Sequence, residues 1–335
     1  MDHKLVSSWY HLHSTVPLSY VQPPESRPGT VTVASGKAVP VVDLGGHDRA
    51  ETLKQIFKAS EEYGFFQVIN HGVSNELIED TLNIFKEFHA MPAEEKLSES
   101  SRDPNGSCML YTSREINNKD CIQFWKDTLR HPCTPSEEFM EFWPLKPARY
   151  REVVEKYTKE LRELGSQILE MLCEGLGLDP RYCCAGLSEN PLLLSNHYPP
   201  CPEPSLTLGL SKHRDPTLVT ILLQDTDVNA LQVFKDGEWI SIEPIPYAFV
   251  VNIGLLLQII SNGRLVGVEH RVVTNSSISR TTVAYFIRPK KEEIVEPAKA
   301  LVRTGAHPIY RSIAFEEFLR IFKTRDPAIE PKLVL

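Results

Sequence analysis

Two imidazoles and a carboxylate lie at a spacing that can hold a metal ion. His213 and Asp215 are separated by one residue, His270 follows further along the chain, and Arg280 comes shortly after it. Two histidines and one carboxylate are the ligand set of a mononuclear non-haem Fe(II) site, which leaves coordination positions open for chemistry. Arg280 adds a forked cation that grips a carboxylate in two parallel hydrogen bonds. The pattern predicts an iron centre that binds an acidic co-substrate beside it.

Strand periodicity places these side chains on shared faces. His213 and Asp215 are two positions apart, so both point to the same side of a strand or its extension. Arg280 and Thr282 are also two apart, at the start of a run to Ile287 that is too apolar for an exposed strand. A buried guanidinium needs an anionic partner. A structural metal site and a solvated arginine are the alternatives, and the apolar strand disfavours the second.

Helical periodicity marks the elements that must support such a site. A short strand at residues 39–44 precedes a helix that Gly64 ends, and Ser74 is a helix N-cap. From Pro147 to Gly175, apolar residues recur three and four apart, which predicts a long helix against which a sheet can pack. A last helix carries the aromatic residues of segment 315–322.

After this long helix the apolar period changes to two. The segments predicted as strands are residues 192–198, 218–224, 231–234, 238–242, 248–253, 257–261 and 281–288. Asp236-Gly237 and Asn262-Gly263 are hairpin-turn dipeptides between them. Several short strands with tight turns favour a double-stranded β-helix, or jelly-roll barrel. The predicted fold is therefore α+β with a mostly β core, packed by N-terminal helices and the long central helix.

These patterns divide the chain into four regions. The predicted regions are an irregular N-terminal arm (1–37), a helix-rich N-terminal region (38–185), the jelly-roll core (186–295) and a C-terminal helical lid (296–335). Residues 98–118 are polar and predict a mobile loop that borders the active site.

Composition and charge exclude several classes of partner. With 335 residues, 41% of them hydrophobic, the chain can bury a substantial core. A net charge of -8 argues against a nucleic-acid partner. The sequence has no long apolar run or signal peptide, and its seven cysteines form no Cys-x-x-Cys pair. We expect a cytoplasmic monomer with reduced thiols, free of membranes, that binds a small molecule.

Longer motifs surround the candidate site. Residues 196–202 read Asn-His-Tyr-Pro-Pro-Cys-Pro, and residues 66–72 read Phe-Gln-Val-Ile-Asn-His-Gly. With the His-x-Asp, His and Arg-x-Thr pattern, they make the chain resemble the plant family of Fe(II)/2-oxoglutarate-dependent dioxygenases, from about Val39 to Phe322. The resemblance implies that 2-oxoglutarate is decarboxylated to succinate and CO₂ while O₂ hydroxylates a small plant specialised metabolite. Desaturation, epoxidation or ring closure are related outcomes.

The same resemblance implies a role for each motif residue. It assigns His213, Asp215 and His270 to Fe(II) and catalysis, and Arg280, Thr282, Tyr198 and Asn196 to 2-oxoglutarate. The family usually has serine at the position of Thr282, and threonine keeps the hydroxyl donor. Ascorbate is the expected activator.

The residues that contact the substrate are less clearly marked. If residues 124–130 form a strand, the even-numbered side chains share one face and the odd-numbered ones the other, and either face could be the inner one. The resemblance implies that the substrate contacts are Tyr111, Phe124, Lys126, Thr128, Arg130 and Phe286. The alternative is that Lys126 and Arg130 are solvated charges.

Three further segments, residues 124–129, 173–177 and 269–275, are similar to the branch that contains hyoscyamine 6-hydroxylase and the mugineic-acid dioxygenases. The resemblance therefore implies a nitrogenous substrate such as an alkaloid. Leu255 and Arg214 depart from the usual family residues near the site. Alternatives are a flavonoid, phenylpropanoid or hormone hydroxylase, and an iron oxidase that uses no 2-oxoglutarate. A non-enzymatic binder is disfavoured by the intact ligands.

Overall fold

A mixed α+β fold with one large sheet is described by a computed structural model. The model describes residues 5–29, 33–34, 36–100, 108–113, 122–133, 140–184, 186–302, 307–323 and 333–334. Helices prevail before residue 176 and strands after residue 191, which confirms the predicted α+β class. Within the described ranges, every helix is too short or too polar to cross a membrane. The division into four regions at residues 37, 185 and 295 stays a prediction.

Eight α-helices lie in the described ranges, and side chains cap the first turns of two of them. They are α1 (Val6–Trp9), α2 (Arg49–Glu62), α3 (Asn75–Ala90), α4 (Ala93–Ser98), α5 (Tyr150–Gly175), α6 (Leu255–Ile260), α7 (Lys299–Val302) and α8 (Phe315–Lys323). The Asp48 side chain accepts two backbone N–H groups at the start of α2, and the Ser74 hydroxyl accepts one at the start of α3. Gly64 lies just beyond α2 with a φ of 62°, a left-handed conformation that glycine adopts without strain.

The strands form two main sheets. They are β1 (Val41–Asp43), β2 (Phe65–Ile69), β3 (Met109–Thr112), β4 (Asp127–Pro132), β5 (Leu192–Tyr198), β6 (Leu208–His213), β7 (Val219–Gln224), β8 (Leu231–Lys235), β9 (Glu238–Ser241), β10 (Phe249–Ile253), β11 (His270–Val273), β12 (Arg280–Ile287), β13 (Ile294–Val295) and β14 (Ile313–Ala314). The large sheet has the order β1-β2-β10-β7-β12-β5-β4-β3, and the smaller sheet β6-β11-β8-β9. The remaining strands, β13 and β14, pair with each other.

The two faces of the large sheet have different surroundings. On β5, β7, β10 and β12, odd-numbered residues such as Ile221, Val283 and Tyr285 belong to the main hydrophobic core, together with the apolar face of α5. Even-numbered residues such as Tyr198 and Val250 pack against residues of the smaller sheet. Because successive side chains of a strand point to opposite faces, the same strands supply the core and the inner face of the two-sheet layer.

One hairpin was predicted at its exact position. Strands β8 and β9 pair as an antiparallel hairpin whose connection is Asp236-Gly237. Both residues have positive φ, 52° and 84°, as the type I′ turn requires.

The segment at residues 257–261 is not a strand, so that prediction was wrong. It lies in α6, whose residues are all buried, and Asn262-Gly263 follows the helix instead of joining two strands. An unbroken apolar run is compatible with either a buried strand or a buried helix. Tertiary contacts start the helix, since the N–H of Leu255 donates to the carbonyl of Asp215 at 2.9 Å.

Five strands were not predicted, namely β3, β6, β11 and the short pair β13 and β14. Part of the expected loop at residues 98–118 forms β3 at the edge of the large sheet, while residues 101–107 and 114–121 lie outside the described residues. Strands β6 and β11 carry the candidate ligands His213 and His270, yet both are short and irregularly patterned. The strand predicted at residues 124–130 lies at residues 127–132.

The N-terminal arm packs behind β4. The buried carboxylate of Asp127 accepts the backbone N–H groups of Val6 and Ser7 at 2.7 and 2.9 Å. Trp9 meets the buried ring of Trp125 edge-on, with 5.3 Å between centroids. The arm thereby covers the odd-numbered side of the segment that leads into β4.

Candidate active site

The two sheets bring His213, Asp215 and His270 together. His213 ends β6, Asp215 follows two residues later, and His270 begins β11 directly opposite His213. The Nε2 atoms of His213 and His270 lie 3.6 and 3.7 Å from Oδ1 of Asp215. Candidate ligand atoms of all three residues lie within 4.8 Å of one another. No second such group of His, Cys, Asp or Glu occurs in the described part of the chain.

Backbone carbonyl groups orient both imidazoles. Nδ1 of His213 donates to the carbonyl of Ser211 at 2.8 Å, and Nδ1 of His270 donates to that of Val268 at 3.2 Å. Since a carbonyl oxygen only accepts, Nδ1 carries the proton and Nε2 keeps a free lone pair. Burial, followed by the nearby His270, lowers the pKa of His213 to about 3, which keeps the ring neutral at physiological pH.

The Asp215 carboxylate is oriented through its second oxygen. Oδ2 accepts hydrogen bonds from Oγ1 of Thr220 at 2.7 Å and Nδ2 of Asn252 at 2.9 Å. Burial alone would raise the pKa of Asp215, but the neighbouring imidazoles and these two hydrogen bonds lower it below its ordinary value. Oδ1 is left facing the two Nε2 atoms. Two imidazole nitrogens and one ionised oxygen, all converging, fit Fe(II).

Arg280 supplies a buried cation on the inner face of the large sheet. Its side chain is 1% exposed, and Nη2 donates to Oε1 of Gln224 at 2.9 Å. The guanidinium lies over the ring of Tyr198, 5.5 Å from its centroid. Its Nε has no hydrogen-bond partner among the described residues. Burial lowers the pKa of Arg280 because it removes the guanidinium from water. A bound carboxylate would offset the energetic cost of burying this charge.

A row of side chains crosses five strands of the large sheet. Cross-strand pairing places Tyr111 on β3 opposite Thr128 on β4, Thr128 opposite Asn196 on β5, and Asn196 opposite Thr282 on β12. Thr282 is in turn opposite Gln224 on β7. Directly opposed residues point to the same face. We call Tyr111, Thr128, Asn196, Thr282 and Gln224 the transverse row.

Asn196 joins the transverse row to Lys126. Its side-chain oxygen Oδ1 accepts from Nζ of Lys126 and from Oγ1 of Thr128, both at 2.8 Å. Lys126 is only 8% exposed, so the alternative of a solvated surface charge was wrong for this residue. The pairing with β5 also decides which face of β4 is the inner one: Thr128 shares it with Asn196, whereas Asp127 faces the N-terminal arm.

The other expected substrate contacts are placed less uniformly. Phe286 lies opposite Thr220, in the same cross-strand row as Asn252, and so stands beside the residues that hold Asp215. Arg130 shares the face of Thr128 but lies two residues further along β4, opposite Leu194 and outside the transverse row. Phe124 is buried and lies just before β4. The backbone N–H of Lys126 donates to the carbonyl of Phe124, and this turn interrupts the alternation of side chains expected for a strand.

Comparison with known proteins agrees with this geometry. The model of the 2OG-Fe(II) oxygenase superfamily matches residues 189–289, and that of the N-terminal region of non-haem dioxygenases of morphine synthesis matches residues 39–147. Protein DOWNY MILDEW RESISTANCE 6 of Arabidopsis thaliana is 40% identical over 330 residues, which cover 97% of this chain and 96% of the relative. The chain belongs to the 2OG-Fe(II) oxygenase superfamily.

Two further relatives of this superfamily carry informative names. Hyoscyamine 6-dioxygenase of Hyoscyamus niger is 40% identical over 329 residues, 95% of this chain and 94% of the relative. The crystal structure of JOX2 in complex with 2OG, Fe and JA matches with a TM-score of 0.85 and 34% identity, over 95% of this chain and 92% of that chain. The resemblance inferred from the motifs is confirmed, and the protein is an Fe(II)- and 2-oxoglutarate-dependent dioxygenase that uses O₂.

Within this superfamily site, three neighbours were missed by the sequence analysis. Thr220 and Asn252 hold the Asp215 carboxylate, and Gln224 holds Arg280. The sequence did contain a signal for each of them. All three are polar residues at even-numbered positions of strands that are otherwise apolar. The pattern marks the face, but strand pairing is needed to say which groups meet.

Proposed function

We propose that this dioxygenase hydroxylates a small specialised metabolite at a site formed between the two sheets. The observation that carries the proposal is the convergence of Nε2 of His213, Nε2 of His270 and Oδ1 of Asp215. The buried guanidinium of Arg280, on the inner face of the neighbouring sheet, supports an anionic co-substrate.

The proposed roles of the motif residues follow from their donors. His213, Asp215 and His270 hold Fe(II). Arg280 and Thr282 hold the distal carboxylate of 2-oxoglutarate, while Tyr198 and Asn196 contact the co-substrate from the neighbouring strand. Support comes from cross-strand pairing, which sets Arg280 opposite Tyr198 and Thr282 opposite Asn196.

The protein contributes position and protection from water. Fe(II), when bound with 2-oxoglutarate and O₂, supplies the oxidising chemistry that converts C–H to C–OH and yields succinate and CO₂. Arg280 would fix the distal carboxylate of 2-oxoglutarate. The other end of the co-substrate would then be free to bind Fe(II). Thr220 and Asn252 keep Asp215 in one orientation, which avoids reorganisation during turnover. Phe65, a buried residue whose ring centroid lies 5.1 Å from that of His270, would limit access of water from that side.

For the substrate, we propose a nitrogenous metabolite that carries a carboxylate, carbonyl or hydroxyl acceptor near the reacting carbon. Lys126 supports this class because it places a buried cation beside Asn196. Phe286 stands beside Thr220 and would pack the apolar body of the substrate. The name of one relative, hyoscyamine 6-dioxygenase, supports a nitrogenous substrate.

We also propose that β5 to β12 form a jelly-roll barrel in a monomeric enzyme. The chain alternates between sheets along these strands, with β5, β7, β10 and β12 in the large sheet and β6, β8, β9 and β11 in the smaller one. Such alternation is typical of two-sheet jelly rolls. Size-exclusion chromatography with light scattering would test the oligomeric state.

Succinate release tests the proposed function. Purified protein with Fe(II), 2-oxoglutarate and ascorbate is incubated under O₂ with a metabolite extract, then with single nitrogenous candidates. We expect succinate and a product heavier by one oxygen atom, both dependent on 2-oxoglutarate. Substrate oxidation that proceeds equally without 2-oxoglutarate would contradict the proposal, as would succinate release that no nitrogenous candidate stimulates while other metabolites do.

A further inference from the structure

Gln224 is buried beside Arg280 and has one half of its amide unused. The residue is 4% exposed and ends β7. Its Oε1 accepts Nη2 of Arg280 at 2.9 Å. Within the described part of the chain, its Nε2 has no hydrogen-bond partner. A buried N–H group without a partner destabilises the folded state, so such a group calls for an explanation.

The orientation of this amide follows from its partner. Arginine N–H groups only donate, so the oxygen of Gln224 must face Arg280 and the nitrogen must face away from it. Nε of Arg280 also lacks a partner in the described ranges. The two adjacent side chains thus offer two unused, buried donors. A single acceptor with several lone pairs, such as a carboxylate, can satisfy both.

The position of Gln224 in the sheet directs it toward the site. It stands opposite Thr282 in the transverse row, and Thr282 stands opposite Asn196. It also lies four residues from Thr220 along β7, on the same face, and Thr220 bonds to Asp215. Gln224 therefore lies on the strand whose Thr220 orients Asp215, and directly beside the side chains proposed to bind the co-substrate.

We propose that Gln224 is a further binding residue for 2-oxoglutarate, acting on its distal carboxylate. Its amide oxygen fixes the guanidinium of Arg280, and its amide nitrogen donates to the same carboxylate that Arg280 and Thr282 bind. This inference rests on the proposed function, because it requires 2-oxoglutarate in that position. It adds a third strand, β7, to the binding site formed by β5 and β12.

Equilibrium binding of 2-oxoglutarate provides the test without turnover. The Mn(II)-loaded protein is titrated with 2-oxoglutarate by calorimetry, as wild type, Gln224→Met and Gln224→Glu. Methionine keeps the length and volume of the side chain but removes both hydrogen bonds, whereas glutamate places a negative charge where the amide donor stood. We expect the Kd to rise about tenfold to a hundredfold in Gln224→Met, the range for a lost bond to a charged group, and further in Gln224→Glu.

A matched control is available on the smaller sheet. Gln232 is also buried, and its Oε1 accepts Nε of Arg271 at 2.8 Å, so Gln232→Met removes an equivalent glutamine–arginine bond outside the transverse row. We expect this variant to bind 2-oxoglutarate like the wild type. A Kd that rises equally in Gln232→Met and Gln224→Met would overturn the proposal, because the effect would then be a general loss of structure.

A crystal structure of the wild-type protein with Mn(II) and 2-oxoglutarate tests the direct contact even if a variant does not fold. We expect Nε2 of Gln224 within about 3.2 Å of a carboxylate oxygen. An amide nitrogen that points elsewhere, or a Gln224→Met Kd within twofold of wild type, would overturn the inference alone. A wild-type protein that does not bind 2-oxoglutarate would instead count against the proposed function.

Discussion

At the scale of single residues, the two oxygens of Asp215 have separate partners. Oδ2 is bonded to Thr220 and Asn252, whereas Oδ1 faces the imidazoles of His213 and His270. Two fixed hydrogen bonds restrict rotation of the carboxylate, so Oδ1, the oxygen proposed to bind the metal, is already oriented toward the two imidazoles.

We expect Asp215→Ala to abolish turnover and to reduce iron binding strongly, since it removes the only anionic donor of the proposed ligand set among the described residues. Iron content after anaerobic loading and succinate release are the two measurements. Asp227→Ala, at an exposed aspartate shortly after β7, is the control and should behave as wild type. Full iron stoichiometry together with full activity in Asp215→Ala would refute the ligand assignment.

The fork of Arg280 leads to a second prediction. Arg280→Lys keeps a positive charge but cannot make two parallel hydrogen bonds to a carboxylate, and it also loses the bond to Gln224. We expect the Michaelis constant for 2-oxoglutarate to rise by about tenfold or more. Arg264→Lys, at an arginine paired with Glu61 on the surface, should leave that constant unchanged. An unchanged constant in Arg280→Lys would show that the carboxylate is held elsewhere.

The buried amine of Lys126 leads to a third prediction. In Lys126→Ala we expect substrate hydroxylation to fall at least tenfold, as on loss of a hydrogen bond to a charged group, while 2-oxoglutarate decarboxylation without substrate persists. Decarboxylation should persist because Thr128 still holds Asn196. The paired measurement is product formation against substrate-free succinate release, with the exposed Lys156→Ala as control. Normal hydroxylation in Lys126→Ala would mean that this lysine does not meet the substrate.

At the scale of elements, β4 is held between the site and the N-terminal arm. Thr128 faces Asn196, and Asp127, the preceding residue, binds the first N–H groups of α1. The amine of Lys96 donates to the hydroxyl of Ser7 at 2.9 Å and adds a second link between the arm and the helical region. The arm was expected to be irregular, and its described part packs against the back of β4.

A fourth prediction concerns this link. In Asp127→Asn, one oxygen that accepts a backbone N–H is replaced by an amide donor, which leaves two donors facing each other. We expect the free energy of unfolding to fall by about 1–3 kcal/mol and the arm to be cleaved faster in limited proteolysis. Asp227→Asn, at an exposed site, is the matched control. Unchanged cleavage within residues 5–29 would show that the arm does not depend on Asp127.

At the scale of the whole molecule, several histidines are buried in a neutral state. His131 is fully buried against Trp143, with 4.4 Å between ring centroids, and burial lowers its pKa from 6.5 to about 3. Burial also lowers the pKa of His197 to about 4 and that of His89 well below its ordinary value. These two rings stack on the core side of the large sheet, 5.0 Å apart.

A fifth prediction follows from linkage. Between pH 6.5 and about 3 the unfolded chain binds a proton at His131 that the folded chain does not, so the stability from the neutral ring is complete above pH 6.5 and is lost as pH falls. In this window, each such histidine lowers the free energy of unfolding by about 1.4 kcal/mol for every unit that the pH falls. We expect the metal-free His131→Gln protein to lose stability less steeply than wild type between pH 7 and pH 5 in urea unfolding. Equal slopes would contradict the assignment of a neutral, buried His131.

The sequence by itself determined the candidate residues for the chemistry and the period of most elements that hold them. His213 and Asp215, like Arg280 and Thr282, are recognisable because residue type and two-residue spacing are local properties of the chain. The turn at Asp236-Gly237 is equally local, since both residues must adopt positive φ.

Only the tertiary structure decided how those elements meet. A two-residue period cannot say which face of β4 is the inner one; the pairing of Thr128 with Asn196 decides it. An apolar run cannot distinguish a strand from α6, whose first N–H bonds to the carbonyl of Asp215. Gln224 meets Arg280 across a pair of strands far apart in sequence. Each of these contacts joins distant segments, and such pairings are fixed by packing of the whole sheet, which no local pattern contains.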